Sequence, residues 1–171
     1  MTVAVETGLW QLDQTASTVA VRHKTMWGLV TVKGTFTTVS GQGEVRPDGT
    51  AHGSVTLDAA SLDTKHAKRD THLRSADFFD ADNHPEITFA VRGAEAGQDD
   101  TVQVTGQLTV RGISRPQSFT AKASDAGADA VTLTAEFTVD RDQFGMSWNQ
   151  LSMMRGLTTV TATLRFTRAT A

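Results

Sequence analysis

The chain has 171 residues, 39% of them hydrophobic and 20% charged, and its 16 Lys and Arg against 19 Asp and Glu give a formal net charge of −3. This composition is typical of a single globular domain and argues against disordered and collagen-like chains. The net charge argues against a protein that binds nucleic acid or an anionic membrane. With no cysteine in the sequence, disulfides, a thiolate nucleophile and Cys-ligated metals are excluded.

The N-terminal residues, MTVAVETGLWQLD, have neither a basic region nor a long apolar stretch, so they do not resemble a secretory signal. No apolar run in the chain approaches the ~20 residues of a transmembrane helix. We therefore expect a cytoplasmic protein without an integral membrane segment, folded as one domain over residues 1–171.

Most of the remaining sequence alternates apolar and polar residues, and it is rich in Thr and Val, which favour strands. Alternation with period two indicates strands with one buried face and one solvated face. It predicts about eight strands, near residues 17–25, 30–36, 55–59, 87–92, 102–111, 119–123, 131–139 and 160–166. Turn signals lie at residues 40–43, 47–49, 97–100, 112–116 and 125–129.

Short connections between consecutive strands indicate an antiparallel meander, and closure of its edges predicts an eight-stranded up-and-down barrel. Glycines inside strands, at Gly34, Gly43 and Gly106, predict bends or bulges. A barrel of this size is either filled by side chains or holds one small ligand.

Two segments interrupt the alternation. Residues 61–84 are polar and charged, and one or two short helices are predicted there, near residues 62–80, as a crossover between strands. Residues 141–156 are irregular but rich in Met, Trp and Phe, so they either plug one end of the barrel or form a lid over a ligand.

Several motifs resemble those of the bacterial YceI-like family of polyisoprenoid-binding, lipocalin-like proteins. They are residues 10–13 (WQLD), 17–23 (STVAVRH), 69–80 (RDTHLRSADFFD), 106–116 (GQLTVRGISRP), and Phe137 with Arg141, Phe144 and Gly145. The resemblance implies a lipocalin-like antiparallel barrel with a helical excursion after the fourth strand and an apolar tunnel. It also implies a long amphiphilic lipid, such as an isoprenoid quinone or prenyl lipid, as ligand, and a homodimer.

His23 is the polar residue of greatest interest, because the alternation places it inside the barrel with Val19 and Val21. There it either hydrogen-bonds within the core or meets a polar group of the ligand. The cluster around Arg69, Asp70, His72 and Arg74 is interpreted as ion pairing and helix capping, with headgroup contacts by Arg69 and Arg74 as the alternative. The spacing of its histidines does not match a metal site.

The sequence therefore predicts non-catalytic binding, storage or transport of an isoprenoid-type lipid, with no cofactor and no metal. Two alternatives stay open: sequestration of varied hydrophobic compounds, and an enzyme that acts on the lipid through His23 or His72. The candidate ligand-binding residues are His23, Trp27, Phe36, Phe89, Leu108, Phe119, Phe137, Met146, Trp148 and Met153.

Overall fold

The computed structural model describes residues 7–48, 50–124, 127, 129–146 and 156–169. Its regular elements are eleven strands and one short α-helix, joined in part by 3-10 turns. In chain order they are β1 Gly8–Leu12, β2 Thr18–Thr25, β3 Val30–Phe36, β4 Val39–Val45, β5 Ala51–Asp58, β6 Leu62–Asp63, α1 Ala67–Arg74, β7 Glu86–Ala96, β8 Thr101–Val110, β9 Ile113–Ser124, β10 Ala130–Val139 and β11 Thr158–Arg168.

The eleven strands form eight positions in a closed antiparallel barrel. β1 and β2 lie end to end along the same edge of β11, and each pairs with it. β4 pairs with β1 and β3 pairs with β2, so these two strands form the next position of the wall. β5 pairs with β4, and β6 pairs with β3. β5 also pairs with β7, and from β7 to β11 each strand pairs with the next one in the chain. The predicted eight-stranded barrel is confirmed, with its first three positions each built from two strands.

Aspartate caps mark the points where the wall strands bend or end. Asp13, Asp58 and Asp140 each accept a hydrogen bond from the backbone N–H two residues later, at 3.0 Å, and each begins a 3-10 turn. The carboxylate satisfies a backbone donor that would lack a partner at the start of the turn. The first two of these caps let a long wall strand change direction without leaving the barrel.

The helical excursion holds one α-helix, α1, and lies between β6 and β7. It therefore follows the third position of the barrel wall, and the expected position after the fourth strand is wrong. His66 caps α1 through Nδ1, which accepts from the N–H of Arg69 at 3.2 Å. Phe78 is buried, and the Phe79 ring meets Phe36 edge-on at 6.0 Å, so both aromatics fasten the excursion to the barrel.

The predicted turn at residues 40–43 is wrong, and the one predicted at residues 112–116 extends too far, since only Gly112 of it lies in the turn between β8 and β9. Residues 40–43 lie inside β4, where Gly53 on β5 comes so close that a Cβ there would stand 2.3 Å from the carbonyl oxygen of Gln42. Of residues 112–116, all but Gly112 belong to β9, including Pro116. The register shift found between β7 and β8 lies between Val91 and Gly93, and Val91 pairs with Gly106, so the irregularity lies opposite one of the predicted glycines.

Gly106 is needed for close packing. A Cβ at this position would lie 2.3 Å from the carbonyl oxygen of Ala90 and 2.7 Å from Cζ of Phe89. The missing side chain lets the Phe89 ring lie across β8.

One end of the barrel is filled by side chains. Trp10, Ala123 and Val131 are buried there, and Val45, Val102, Leu133 and Phe166 pack against them. We call these seven residues the closed end. None of them lines the cavity described below.

A candidate lipid cavity at the open end of the barrel

The other half of the barrel encloses a cavity of about 530 Å³. Its wall is formed by inward-facing residues of the strands from β2 round to β11 and by the excursion that carries α1. The volume lies within the range of about 300–1,000 Å³ that small-molecule pockets occupy in proteins. The aliphatic lining includes Val19, Val21, Val30, Val32, Val55, Leu57, Leu62, Leu73, Ile87, Leu108, Val110, Val139, Val160, Ala162 and Leu164.

Three phenylalanines form a continuous aromatic wall along one side of the cavity. The rings of Phe89 and Phe119 lie 5.4 Å apart, and those of Phe119 and Phe137 stack at 4.7 Å with an angle of 8° between their planes. Such pairs stabilise a structure by about 0.5–1.5 kcal/mol beyond the area they bury. The wall therefore has a defined shape against which a flexible apolar chain can pack.

The Phe119–Phe137 stack lies where two wall strands separate. Within the described chain, β9 and β10 pair from Ala121 to Ser124 and from Thr132 to Ala135, and no pairing follows towards the cavity end. Pro116 lies on this unpaired part of β9, where its missing N–H breaks no hydrogen bond with β10. Side chains therefore close this part of the wall.

His23 is the polar group whose hydrogen bonding is incomplete. Its Nδ1 lies 2.9 Å from Oγ1 of Thr158, but its buried Nε2 has no hydrogen-bond partner among the described residues. Burial is the main cause that lowers the pKa of His23, and the positive charge of Arg141 lowers it further. The ring is thus held neutral, with one nitrogen available to a molecule in the cavity.

Arg141 is a second polar group in the cavity wall, and it is 7% exposed. Its Nη1 donates to the carbonyl oxygen of Met146, and its guanidinium lies 5.9 Å from the centre of the Phe78 ring. No carboxylate in the described parts of the chain lies within 4.0 Å of it. Burial is the main cause that lowers its pKa. The cavity wall therefore carries a cationic group with no acidic partner at ion-pair distance.

The mouth of the cavity lies at the turn between β2 and β3. Thr25, Met26 and Val30 line the cavity, while Met26 and Val30 are also 42% and 45% exposed. Beside them stand Trp27, Leu29 and, before β11, Leu157. The cavity wall is thus continuous with an apolar rim in solvent.

The structure brings most of the predicted ligand-binding residues together. His23, Phe36, Phe89, Leu108, Phe119, Phe137 and Met146 line the cavity, as does Arg69. Trp27 stands on the rim and is 51% exposed. Arg74 is absent from the lining, and its Nε donates to the carbonyl oxygen of Ala60. Trp148 and Met153 lie outside the described residues.

Sequence reasoning missed Arg141 and Thr158 as candidate site residues. Both continue the alternation of cavity-lining residues, Arg141 after Phe137 and Val139, and Thr158 before Val160. Extending each strand pattern by one inward position would have found them.

The charged cluster before β7 mainly holds the excursion together. The carboxylate of Asp70 accepts from the N–H and hydroxyl of Thr64, and Arg69 donates to the hydroxyl and carbonyl oxygens of Thr64. His72 lines the cavity, and its Nε2 lies 2.8 Å from Oδ2 of Asp77, which is not part of the lining. No metal-binding group of three or more His, Cys, Asp or Glu is found in the described parts of the chain.

Comparison with known proteins agrees with this architecture. A family model described as "YceI-like domain" matches residues 10–167. A UPF0312 protein of Ectopseudomonas mendocina (strain ymp) is 42% identical over 76 residues, 44% of this chain and 40% of the relative. A UPF0312 protein of Pseudomonas putida (strain KT2440) is 36% identical over 98 residues, 54% of this chain and 51% of the relative. The matches thus span about half or less of these relatives' length.

Solved structures share the fold at low sequence identity. BcnA of Burkholderia cenocepacia superposes with a TM-score of 0.81 at 22% identity, over 93% of this chain and 99% of the other. A polyisoprenoid binding domain from Saccharophagus degradans, implicated in plant cell wall breakdown, gives a TM-score of 0.76 at 16% identity, over 96% and 100%. Among the described residues, no helix has the length and apolar character to cross a membrane.

Proposed function

Because the chain belongs to the YceI-like domain family, we propose that its barrel binds one amphiphilic lipid of the isoprenoid type, with the apolar tail in the cavity and an oxygen atom at His23 and Arg141. The polyisoprenoid binding domain with the same fold supports the choice of tail. The proposed role is non-catalytic carriage or storage of this lipid.

The observation that carries the proposal is a pair of buried polar groups, His23 and Arg141, in a mainly apolar cavity lining. Nε2 of His23 has no hydrogen-bond partner among the described residues. Arg141 has no carboxylate of the described residues within 4.0 Å, and Asp140 and Asp142 act on its charge from a greater distance. A buried polar group without a partner costs about 1–3 kcal/mol, so a ligand oxygen that supplies the missing contact recovers part of that cost. Ligands with one polar end fit this arrangement better than plain hydrocarbons.

The tail is held by removal of apolar surface from water, at about 25 cal/mol per Å². The aliphatic side chains of the lining cannot donate or accept hydrogen bonds, so they hold the tail by apolar contact alone. Tail length and branching are therefore selected by cavity shape, and the oxygen-bearing end by His23 and Arg141.

Farnesol and farnesane test the proposal, because they share a carbon skeleton and only farnesol carries a hydroxyl group. Isothermal titration should show that the protein binds farnesol about tenfold or more tightly than farnesane, since one satisfied buried hydrogen bond accounts for that ratio. His23→Leu and Arg141→Met should reduce this preference, with Leu9→Ser as the control at an exposed apolar residue outside the cavity. Failure of both compounds to bind would refute lipid binding in the cavity.

Sequestration of varied hydrophobic compounds is the second candidate, favoured by the wholly apolar aliphatic side of the cavity. It predicts equal affinity for farnesol, farnesane and unbranched alkanes, and no effect of His23→Leu.

Three finer points are part of the proposal. Catalysis on the lipid would act through His23 or His72, and of these two His72 has a carboxylate at ion-pair distance, that of Asp77. We expect the wild type to leave a bound lipid chemically unchanged, which mass spectrometry of the extracted lipid checks. A homodimer is checked by sedimentation and a cytoplasmic location by cell fractionation. Native mass spectrometry of the purified protein, with extraction of whatever it carries, identifies the natural ligand.

A further inference from the structure

The turn between β2 and β3 carries large apolar side chains into solvent. Leu29 is 84% exposed, Trp27 51%, Val30 45% and Met26 42%. We call residues 26–30 the hairpin tip. Contiguous exposed apolar groups of this kind mark surfaces that bind a partner or a membrane.

The backbone of the hairpin tip is held in an unfavourable conformation. Met26 and Trp27 have φ values of 51° and 56°, in the left-handed region, and Gly28 follows with a φ of 93°. Left-handed backbone is strained for residues other than glycine, and two such residues follow one another here. Strain of this kind is typical of functional segments, and here it presents Trp27 to solvent.

The hairpin that bears the tip is cationic. Residues 14–43 contain no Asp or Glu, although the whole chain has a net charge of −3. Lys24 and Lys33 are exposed, and no ion pair of either is found in the described parts of the chain. Arg22 is neutralised by Glu136 at 3.0 Å. Two unpaired lysines thus stand beside an apolar tip.

We propose that the hairpin tip docks on an anionic lipid surface and sets the mouth of the cavity against it. Trp27 and Leu29 would enter the interface between headgroups and acyl chains, and Lys24 and Lys33 would meet the lipid phosphates. Met26 and Val30 belong both to the tip and to the cavity lining, so a lipid could pass from the surface into the barrel along apolar side chains. The inference rests on the proposed function, since it describes how the cavity is loaded.

Charge favours a lipid surface over a second copy of the chain. A twofold dimer built on the hairpin tip would bring the same patch of each copy together and place lysines near lysines. An anionic bilayer instead supplies opposite charge to the lysines and an apolar layer to Trp27 and Leu29.

The test is flotation of the full chain with vesicles of phosphatidylcholine alone or mixed with phosphatidylglycerol. We expect binding to the mixed vesicles, weakened by high salt, with a blue shift of tryptophan emission. The double variant Trp27→Ser/Leu29→Ser should bind about tenfold or more weakly. Lys24→Glu/Lys33→Glu should lose about as much.

Matched controls separate the tip from general surface properties. Leu9→Ser removes an apolar side chain that is 59% exposed, and Arg92→Glu/Lys122→Glu makes the same charge change on β7 and β9. Both controls should bind like the wild type.

Equal losses in controls and tip variants, or no binding of the wild type to mixed vesicles, would overturn the docking proposal. The docking proposal would also be overturned if the wild type formed dimers and bound no vesicles, while Trp27→Ser/Leu29→Ser stayed monomeric. Farnesol titration separates vesicle docking from cavity binding: Lys24→Glu/Lys33→Glu, which changes no cavity-lining residue, should bind farnesol in solution like the wild type. Vesicle binding by a protein that binds no farnesol would refute the cavity instead.

Discussion

The two ends of the barrel are built from the same alternating strands but differ in what their inward side chains fill. At the closed end, Trp10 and Phe166 come from neighbouring strands and pack with Val131 in one hydrophobic cluster. At the open end, β11, the strand beside the aromatic wall, presents small or β-branched residues, Val160 and Ala162, to a cavity of about 530 Å³. The size of inward residues, more than the strand pattern, decides which part of a small barrel is hollow.

The ends also differ in polarity. The closed end is built from aliphatic and aromatic side chains, whereas the cavity lining includes the polar side chains of His23 and Arg141. A core built for stability would have little reason to retain these two groups, since well-packed apolar residues in their place often stabilise a protein. The comparison separates a region that holds the barrel together from a region that binds a ligand.

The largest contrast in stability should come from truncating one aromatic at each end. Trp10→Ala removes a side chain that is 4% exposed, and we expect a loss of about 3–5 kcal/mol in the free energy of unfolding. Phe137→Ala should cost about 1–3 kcal/mol, because its ring already faces the cavity on one side. Urea denaturation measures both. Equal losses would mean that the cavity wall is as tightly packed as the closed end.

Enlarging a valine at each end should have opposite effects. Val131→Phe adds volume to a filled interior and should destabilise the protein by about 1–3 kcal/mol. Val160→Phe adds the same volume to the cavity, so it should leave stability nearly unchanged while weakening farnesol binding about tenfold or more. Thermal unfolding and titration calorimetry report the two effects. If Val160→Phe bound farnesol as tightly as the wild type, the ligand would have to lie elsewhere in the protein.

A smaller contrast concerns pH and the open end alone. The pKa of His23 is lowered in the folded protein, so the unfolded chain takes up a proton first as the pH falls below about 6.5. The stability linked to neutral His23 is present above that pH and is lost as the pH falls towards the lower, folded pKa. His23→Gln should therefore lose less free energy of unfolding than the wild type between pH 7.5 and pH 5. Parallel curves for the two proteins would show that His23 titrates alike in both states.

Much of the wall was predictable from sequence, because a strand with one buried face alternates apolar and polar residues. The same pattern placed His23 and the aromatic residues inside, where the structure has them. β1 and β4 were missed because five residues at Gly8–Leu12 are too few for a clear pattern and because the glycines of β4 resemble a turn. These glycines reflect close strand contacts, which depend on neighbours distant in sequence.

The candidate site was predictable only in part. Arg141 continues the inward phase of β10, but it lies in a 3-10 turn beyond the end of the strand, so an assignment confined to the strand leaves it out. The unpartnered Nε2 of His23 depends on which residues surround the ring, and those come from several strands. The position of the cavity within the barrel depends in the same way on side-chain sizes summed over the whole wall.

Hydrogen exchange with and without bound farnesol tests the central contrast most directly. If the ligand occupies the open end, backbone protection should rise in β2, β3 and the first half of β11, which line the cavity, and in the hairpin tip. Exchange in β1 and in the part of β10 around Val131 should stay unchanged. Protection at the closed end, or none near His23, would contradict a barrel that is filled at one end and binds lipid at the other.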